Sequence, residues 1–285
     1  MSSPWHLARC LLAALLFICL AASALAAAPV AMITDLKGRA QLASPAPGKP
    51  LAILAELPAG AEIVLEPGTD LTMVYIGSGH EFRVTGTGRI SIGPQLPVFS
   101  GQGRLASSTS LLSSIGGRLN TDGGRVVQGA LVMRGAGERL RQIAPRQKTI
   151  DERPAFQWVL PDALRGVAFE LRDDVQVLAA AEVAGDSYTL PAGVTLVPGK
   201  TYTWRISPLP GEGTGQLTSS FMPAMPDERQ RMHQIRPDRG ASFSDQVLYA
   251  LVLEQAGFAG EAMSQWRALS EARPQDASLR ARWAR

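Results

Sequence analysis

From Cys10 to Leu20 every residue is apolar, Arg9 stands just ahead of the run, and Ala24 and Ala26 lie in the small-residue stretch behind it. That order is the pattern of an export leader, so residues 1–27 read as a signal peptide. An uncleaved membrane anchor is the alternative, because the apolar stretch extends to Ala28 and approaches bilayer length. Cys19 follows Ile18 rather than a small residue, which argues against lipid attachment.

Beyond the leader the apolar positions alternate with period two. Ile63 and Leu65 alternate with Glu62, Val64 and Glu66; Pro67-Gly68 reads as a turn; Leu71, Met73 and Tyr75 alternate with Thr72, Val74 and Ile76. Gly77-Ser78-Gly79 turns the chain again, Phe82 and Val84 follow, and Gly86-Thr87-Gly88 breaks the run before Ile90 and Ile92. Leu111-Leu112, Ile115, Val126-Val127 and Leu131-Val132-Met133 read as further strands, giving a first β unit over 30–133.

Arg134, Arg139, Arg141, Arg146 and Lys148 face one acid, Glu138, so 134–150 reads as a basic linker. A second β unit, 151–222, is drawn from Phe156, Trp158, Phe169, Leu171, Tyr202, Trp204 and Ile206 at alternating positions. That alternation points Trp158, Tyr202 and Trp204 inward. The polar stretch 223–241 reads as a second linker, and the period then becomes helical over 242–285. Ser244 is the expected N-cap, Val247, Leu248, Leu251 and Val252 recur at helical spacing up to Gly257, and a second helix runs from Gly260 to Arg273. Asp276 is placed to cap a further helix at Ala277–Trp283. The fold class is therefore mainly β with a small C-terminal α part.

Three resemblances rest on these residues. Leu36-Lys37-Gly38-Arg39-Ala40, Leu57 to Ile63 and Leu71 to Val84 resemble the FecR-type periplasmic β domain, although Gly77-Ser78-Gly79 stands where Asp-Gly-Ser is usual. FecR regulators join a cytoplasmic anti-sigma segment and a membrane helix to this domain. The resemblance here implies the extracytoplasmic module, sensing a ligand or partner at the envelope, with a membrane signalling protein as client. An early Trp paired with Tyr202-Thr203-Trp204 resembles fibronectin type III-like sandwiches, with a reduced strand count expected from the short span. Ala250, Gly257, Ala262, Trp266, Leu269 and Pro274 resemble one tetratricopeptide repeat, with Gln246 in place of the consensus tryptophan.

Composition narrows the chemistry. Gly (28) and Pro (20) are above average, as a turn-rich β protein requires, and the net charge of +3 gives no argument for nucleic acid. Both cysteines, Cys10 and Cys19, lie in the leader, so the remaining chain has no thiol for a disulfide, nucleophile or metal site. His80 and His233 are far apart, and no nucleophile elbow, phosphate loop or dinucleotide fingerprint is present. Glu62 with Glu66, and Asp173 with Asp174, are the paired carboxylates on which a hydrolase would depend.

The expectation is an exported, non-enzymatic envelope protein with no cofactor and no metal, located in the periplasm and binding a partner protein. Its candidate contact residues are Gln255, Gln265 and Arg267 on the helical pair. A cell-wall or polysaccharide binder is the alternative, with Tyr75 and Trp266 as its aromatic candidates. The helical pair either docks a partner or caps the adjacent sandwich, because a lone repeat cannot bury both its faces.

Overall fold

The computed structural model describes residues 28–114 and 139–283. The expected leader, the strands expected at Ile115, Val126-Val127 and Leu131–Met133, and the start of the expected basic linker fall outside them. The described chain is mainly β, with a small helical part at its C-terminal end.

The first β unit is a curled seven-stranded antiparallel sheet of β1 (Pro29–Lys37), β2 (Ala40–Ser44), β3 (Lys49–Pro50), β4 (Glu56–Pro58), β5 (Glu62–Tyr75), β6 (His80–Ile92) and β7 (Pro97–Thr109). Pro67-Gly68 is a bulge inside one continuous strand, where a turn was expected. Pairing jumps there from Leu65 opposite Gly88 to Thr69 opposite Gly86. Proline offers no N–H to the ladder, Gly68 takes a φ of 77°, and Thr69 Oγ1 donates to the Arg39 carbonyl at 2.7 Å. The bend lets β5 pair with β2 before it and with β1 after it. Ile33, Leu42, Ile63, Leu65, Leu71, Met73, Val84 and Ile90 fill the inside of the curl.

Nor do Gly86 and Gly88 break β6. They stand opposite Gly103 and Gly101 of β7, and the two strands stay paired over thirteen unbroken positions. A Cβ on Gly86, whose φ is 120°, would sit 2.2 Å from the Gln102 carbonyl oxygen. Gly86→Ala is therefore expected to lower stability by about 1–3 kcal/mol through backbone displacement. Equilibrium denaturation checks this, and an unchanged midpoint would contradict it.

The second unit is a β-sandwich of eight strands, not a reduced one. Its three-stranded sheet runs β13 (Ser187–Thr189), β10 (Ala155–Val159), β8 (Arg141–Ala144). Its five-stranded sheet runs β12 (Val177–Val183), β11 (Val167–Arg172), β14 (Tyr202–Pro208), β15 (Leu217–Pro223), β9 (Gln147–Thr149). The strands missing from the expected count lie in the segment read as a basic linker. Pro145 interrupts that segment, so β8 joins one sheet and β9 the other, where it pairs parallel with β15. Its basic residues hid two short strands because they are engaged at the edges: Arg141 donates to the Trp283 carbonyl and Lys148 pairs with Glu228 at 2.6 Å. Trp158, Tyr202 and Trp204 point inward and are buried. Phe156 meets Phe169, Trp204 and Phe221 edge-on at 5.0–5.6 Å between centroids.

Among the described residues five helices complete the fold: α1 (Leu111–Ser114), where a strand was expected at Leu111-Leu112, α2 (Pro226–Gln234), α3 (Phe243–Gln255), α4 (Ala259–Ala272) and α5 (Ala277–Trp283). The expected second linker thus contains a helix. Pro226 opens it, Asp227 and Glu228 favour its N-terminal end, and only Met232 is buried, so no hydrophobic period announced it. Ser242, not Ser244, caps α3: its Oγ accepts from the Asp245 N–H at 3.0 Å. Gly257, with a φ of 85°, ends the helix in the left-handed conformation that suits glycine. Asp276 caps α5 through the N–H groups of Ser278 and Leu279, as expected.

Candidate functional site

The helices form a clasp between the two β units. One continuous core holds Met32, Ile53, Leu54, Val74 and Ile76 of the curled sheet, Ile150 and Ala224 beside the sandwich, and Val247, Leu248, Phe258, Trp266 and Leu279 of the helices. Val74 and Ile76 were outward positions of an alternating strand, and the helices cover them. The helical pair thus buries its apolar residues against β structure.

Polar groups fix the clasp at three points. Against the curled sheet, Ser244 Oγ donates to Glu81 Oε2 at 2.5 Å and lies 2.7 Å from Thr34 Oγ1. At the start of α5, Asp276 Oδ2 accepts from Ile53 N at 3.3 Å and Ser278 Oγ donates to the Ile53 carbonyl at 2.7 Å. Against the sandwich, Glu261 Oε1 accepts from Ile150 N at 2.7 Å and from Thr149 Oγ1 at 2.8 Å.

Burial pushes the carboxyls of Glu81 and Glu261 above the ordinary carboxylate range, against the hydrogen bonds that lower them. Glu261 Oε2 has no hydrogen-bond partner. A carboxyl raised in the folded state stabilises fully below its ordinary value. As pH rises through the window above that value, the unfolded chain releases a proton that the folded chain retains, and stability falls. Glu261→Gln keeps an acceptor for Ile150 and should reduce this fall, while Glu56 and Glu81, also raised, preserve part of it. Thermal melts between about pH 4 and about pH 8 measure the slope, and an unchanged slope in the variant would contradict the assignment.

The candidate acid pairs are dispersed into structural roles. Glu62 pairs with Arg89 at 2.7 Å and Glu66 accepts from Gln41 Nε2 at 3.5 Å. Asp173 Oδ2 accepts from Lys200, its Oδ1 accepts from the N–H groups of Val175 and Gln176, and these bonds pull its carboxyl down to about 2. That is the work of a hairpin turn. His80 opens β6 and His233 lies on α2, both exposed. Among the described residues no group of three His, Asp or Glu side chains is arranged to hold a metal, and no helix is long and apolar enough to cross a membrane.

The aromatic candidates for glycan contact are both buried. Tyr75 donates its hydroxyl to the Gly93 carbonyl at 3.1 Å, and burial pushes its pKa up to about 12. Trp266 donates Nε1–H to Glu254 at 2.9 Å. Of the partner candidates, Gln255 is exposed at the end of α3, Gln265 is half-buried on α4, and Arg267 is exposed, paired with Glu271 at 3.0 Å and set 5.2 Å from the Trp283 ring. These three do not converge on a pocket. Open relief lies on the outer face of the five-stranded sheet, where depressions of about 410 and 430 Å³ meet at Arg205 and Gln216. Glu170 pairs with Arg205 at its centre, and Ala168, Ala180 and Ser207 keep the surface low. No family model matches the chain. No curated protein aligns with it significantly.

Proposed function

We propose that the chain is an exported, non-enzymatic protein of the cell envelope that binds a partner as a sensing or adaptor module, with a membrane signalling protein as its client. The observation that carries this reading is the clasp. Its core fixes two β units against one another, an arrangement suited to presenting surfaces. The paired acids, the feature on which a hydrolase would rest, are committed to turns and strand edges. The FecR-like pattern of the first unit and the export leader support an envelope location.

Because the helical pair is consumed largely in internal packing, the main partner surface is the polar outer face around Arg205, with Gln265 and Arg267 as separate contact candidates. Such a face is shallow, unlike the enclosing clefts that take small molecules, and suits a protein partner. The test is photocrosslinking in the native cell from probes at Thr203, Thr218 and Gln265. Recovery of the same envelope protein at these positions, lost on Arg205→Glu, is expected; recovery of wall glycan alone would overturn the reading.

A further inference from the structure

Among the described residues β7 presents a long, unpaired strand edge. One side pairs with β6 from Thr109 to Pro97, and among the described residues its other side has no strand partner. Free edges are ordinarily shortened or blunted with charge or proline. The other ends of this sheet obey that rule, since β3 has two residues and β4 three. β7 has thirteen residues, with Arg104 as its single charge and proline only at its first position.

In an antiparallel register centred on Gln102, positions of β7 face one another with compatible character: Gly101 with Gly103, Phe99 with Leu105 and Val98 with Ala106, while Ser100 faces the charged Arg104. We infer that β7 pairs antiparallel with β7 of a second copy of this chain about a two-fold axis at Gln102, joining two curled sheets into one. In this register each Phe99 stands opposite the other copy's Leu105, an aromatic–aliphatic cross-strand pair of the stabilising kind. Both side chains lie on the face that carries Ile90 and Val84, so the apolar interior continues across the axis. Leu105, 37 % exposed in the single chain, is covered by the pairing, and Val98, 58 % exposed on the opposite face, gains the other copy's Ala106 beside it. Each Arg104 meets a Ser100, which sets the two guanidinium-bearing positions four steps, about 14 Å, apart along the strands. Sliding the axis to Gly101 or Gly103 loses both Phe99–Leu105 pairs, so the register is specified.

Sedimentation of the exported chain, which lacks Cys10 and Cys19, over a range of concentrations tests this, so that an introduced cysteine is its single thiol. A concentration-dependent dimer is expected. Ser100→Arg places like charges directly opposite at two symmetric positions and should raise the dimer Kd about tenfold. Adding Arg104→Glu to that variant should restore it. Gln102→Cys, on the axis, should form an intermolecular disulfide, whereas Ala106→Cys, opposite Val98, should not. A chain that stays monomeric and gives no Gln102→Cys cross-link, because a partner's strand or another part of the same chain covers the edge, would overturn the inference. So would a dimer indifferent to Ser100→Arg.

Discussion

Replacing Trp266 by alanine is expected to destabilise the chain by about 3–5 kcal/mol and to loosen the two β units from one another. Trp266 is 1 % exposed at the centre of the clasp. Its ring lies under the Arg282 guanidinium at 5.6 Å, and its N–H bonds Glu254, which also receives Arg282 at 2.6 Å. Truncation opens a cavity and leaves a charged pair without its third member, so α5 loses its seat on α3 and α4. Urea denaturation read from both β units measures the effect. A loss under about 1 kcal/mol, or transitions that remain coincident, would contradict it.

Trp204→Ala should have an effect of similar size, about 3–5 kcal/mol, but confined to the sandwich. The side chain is fully buried against Phe156. Its Nε1–H donates to the Pro145 carbonyl at 2.9 Å, at the point where the chain passes from one sheet to the other. Trp204→Phe separates the two contributions. It retains a ring but leaves the Pro145 carbonyl unpaired, a loss of about 1–3 kcal/mol. If the alanine and phenylalanine variants unfold at the same denaturant concentration, the ring packing assigned to Trp204 is wrong.

The strand periods were legible wherever a strand has one wet face, as in β11 and β14, and the inward aromatics followed directly from alternation. Legibility failed where glycine and proline act within a strand. Pro67-Gly68 and Gly86-Thr87-Gly88 carry turn chemistry, yet the β5–β6 ladder resumes on either side of the first and the β6–β7 ladder runs unbroken through the second. It failed again at β8 and β9, where charged residues at sheet edges resemble a linker, and at α2, whose single buried Met232 gives no period. In each case tertiary pairing outweighed local composition.

The three C-terminal helices, α3, α4 and α5, were read nearly to their ends, but their role was not. Ser244 carries the signature of a cap, and only the fold reveals that Ser242 does that work and frees Ser244 to bind Glu81. Glu81 lies at an outward position of its own strand, and its burial is created by a helix far along the chain. Glu261 is likewise an ordinary first-turn acid until Ile150 and Thr149 are laid against it. Such sites arise from long-range packing and leave no local trace, whereas the exposed Arg267 was recognisable from helical spacing alone.

The measurement that tests the clasp most directly is amide hydrogen exchange at Ile53 and Ile150, whose N–H groups bond Asp276 and Glu261 on opposite sides of the helices. If one clasp holds both β units, the two amides are protected with similar opening free energies and lose protection together in Trp266→Ala. Fast exchange at one beside strong protection at the other, unaffected by the substitution, would mean that the helices belong to a single unit and join nothing.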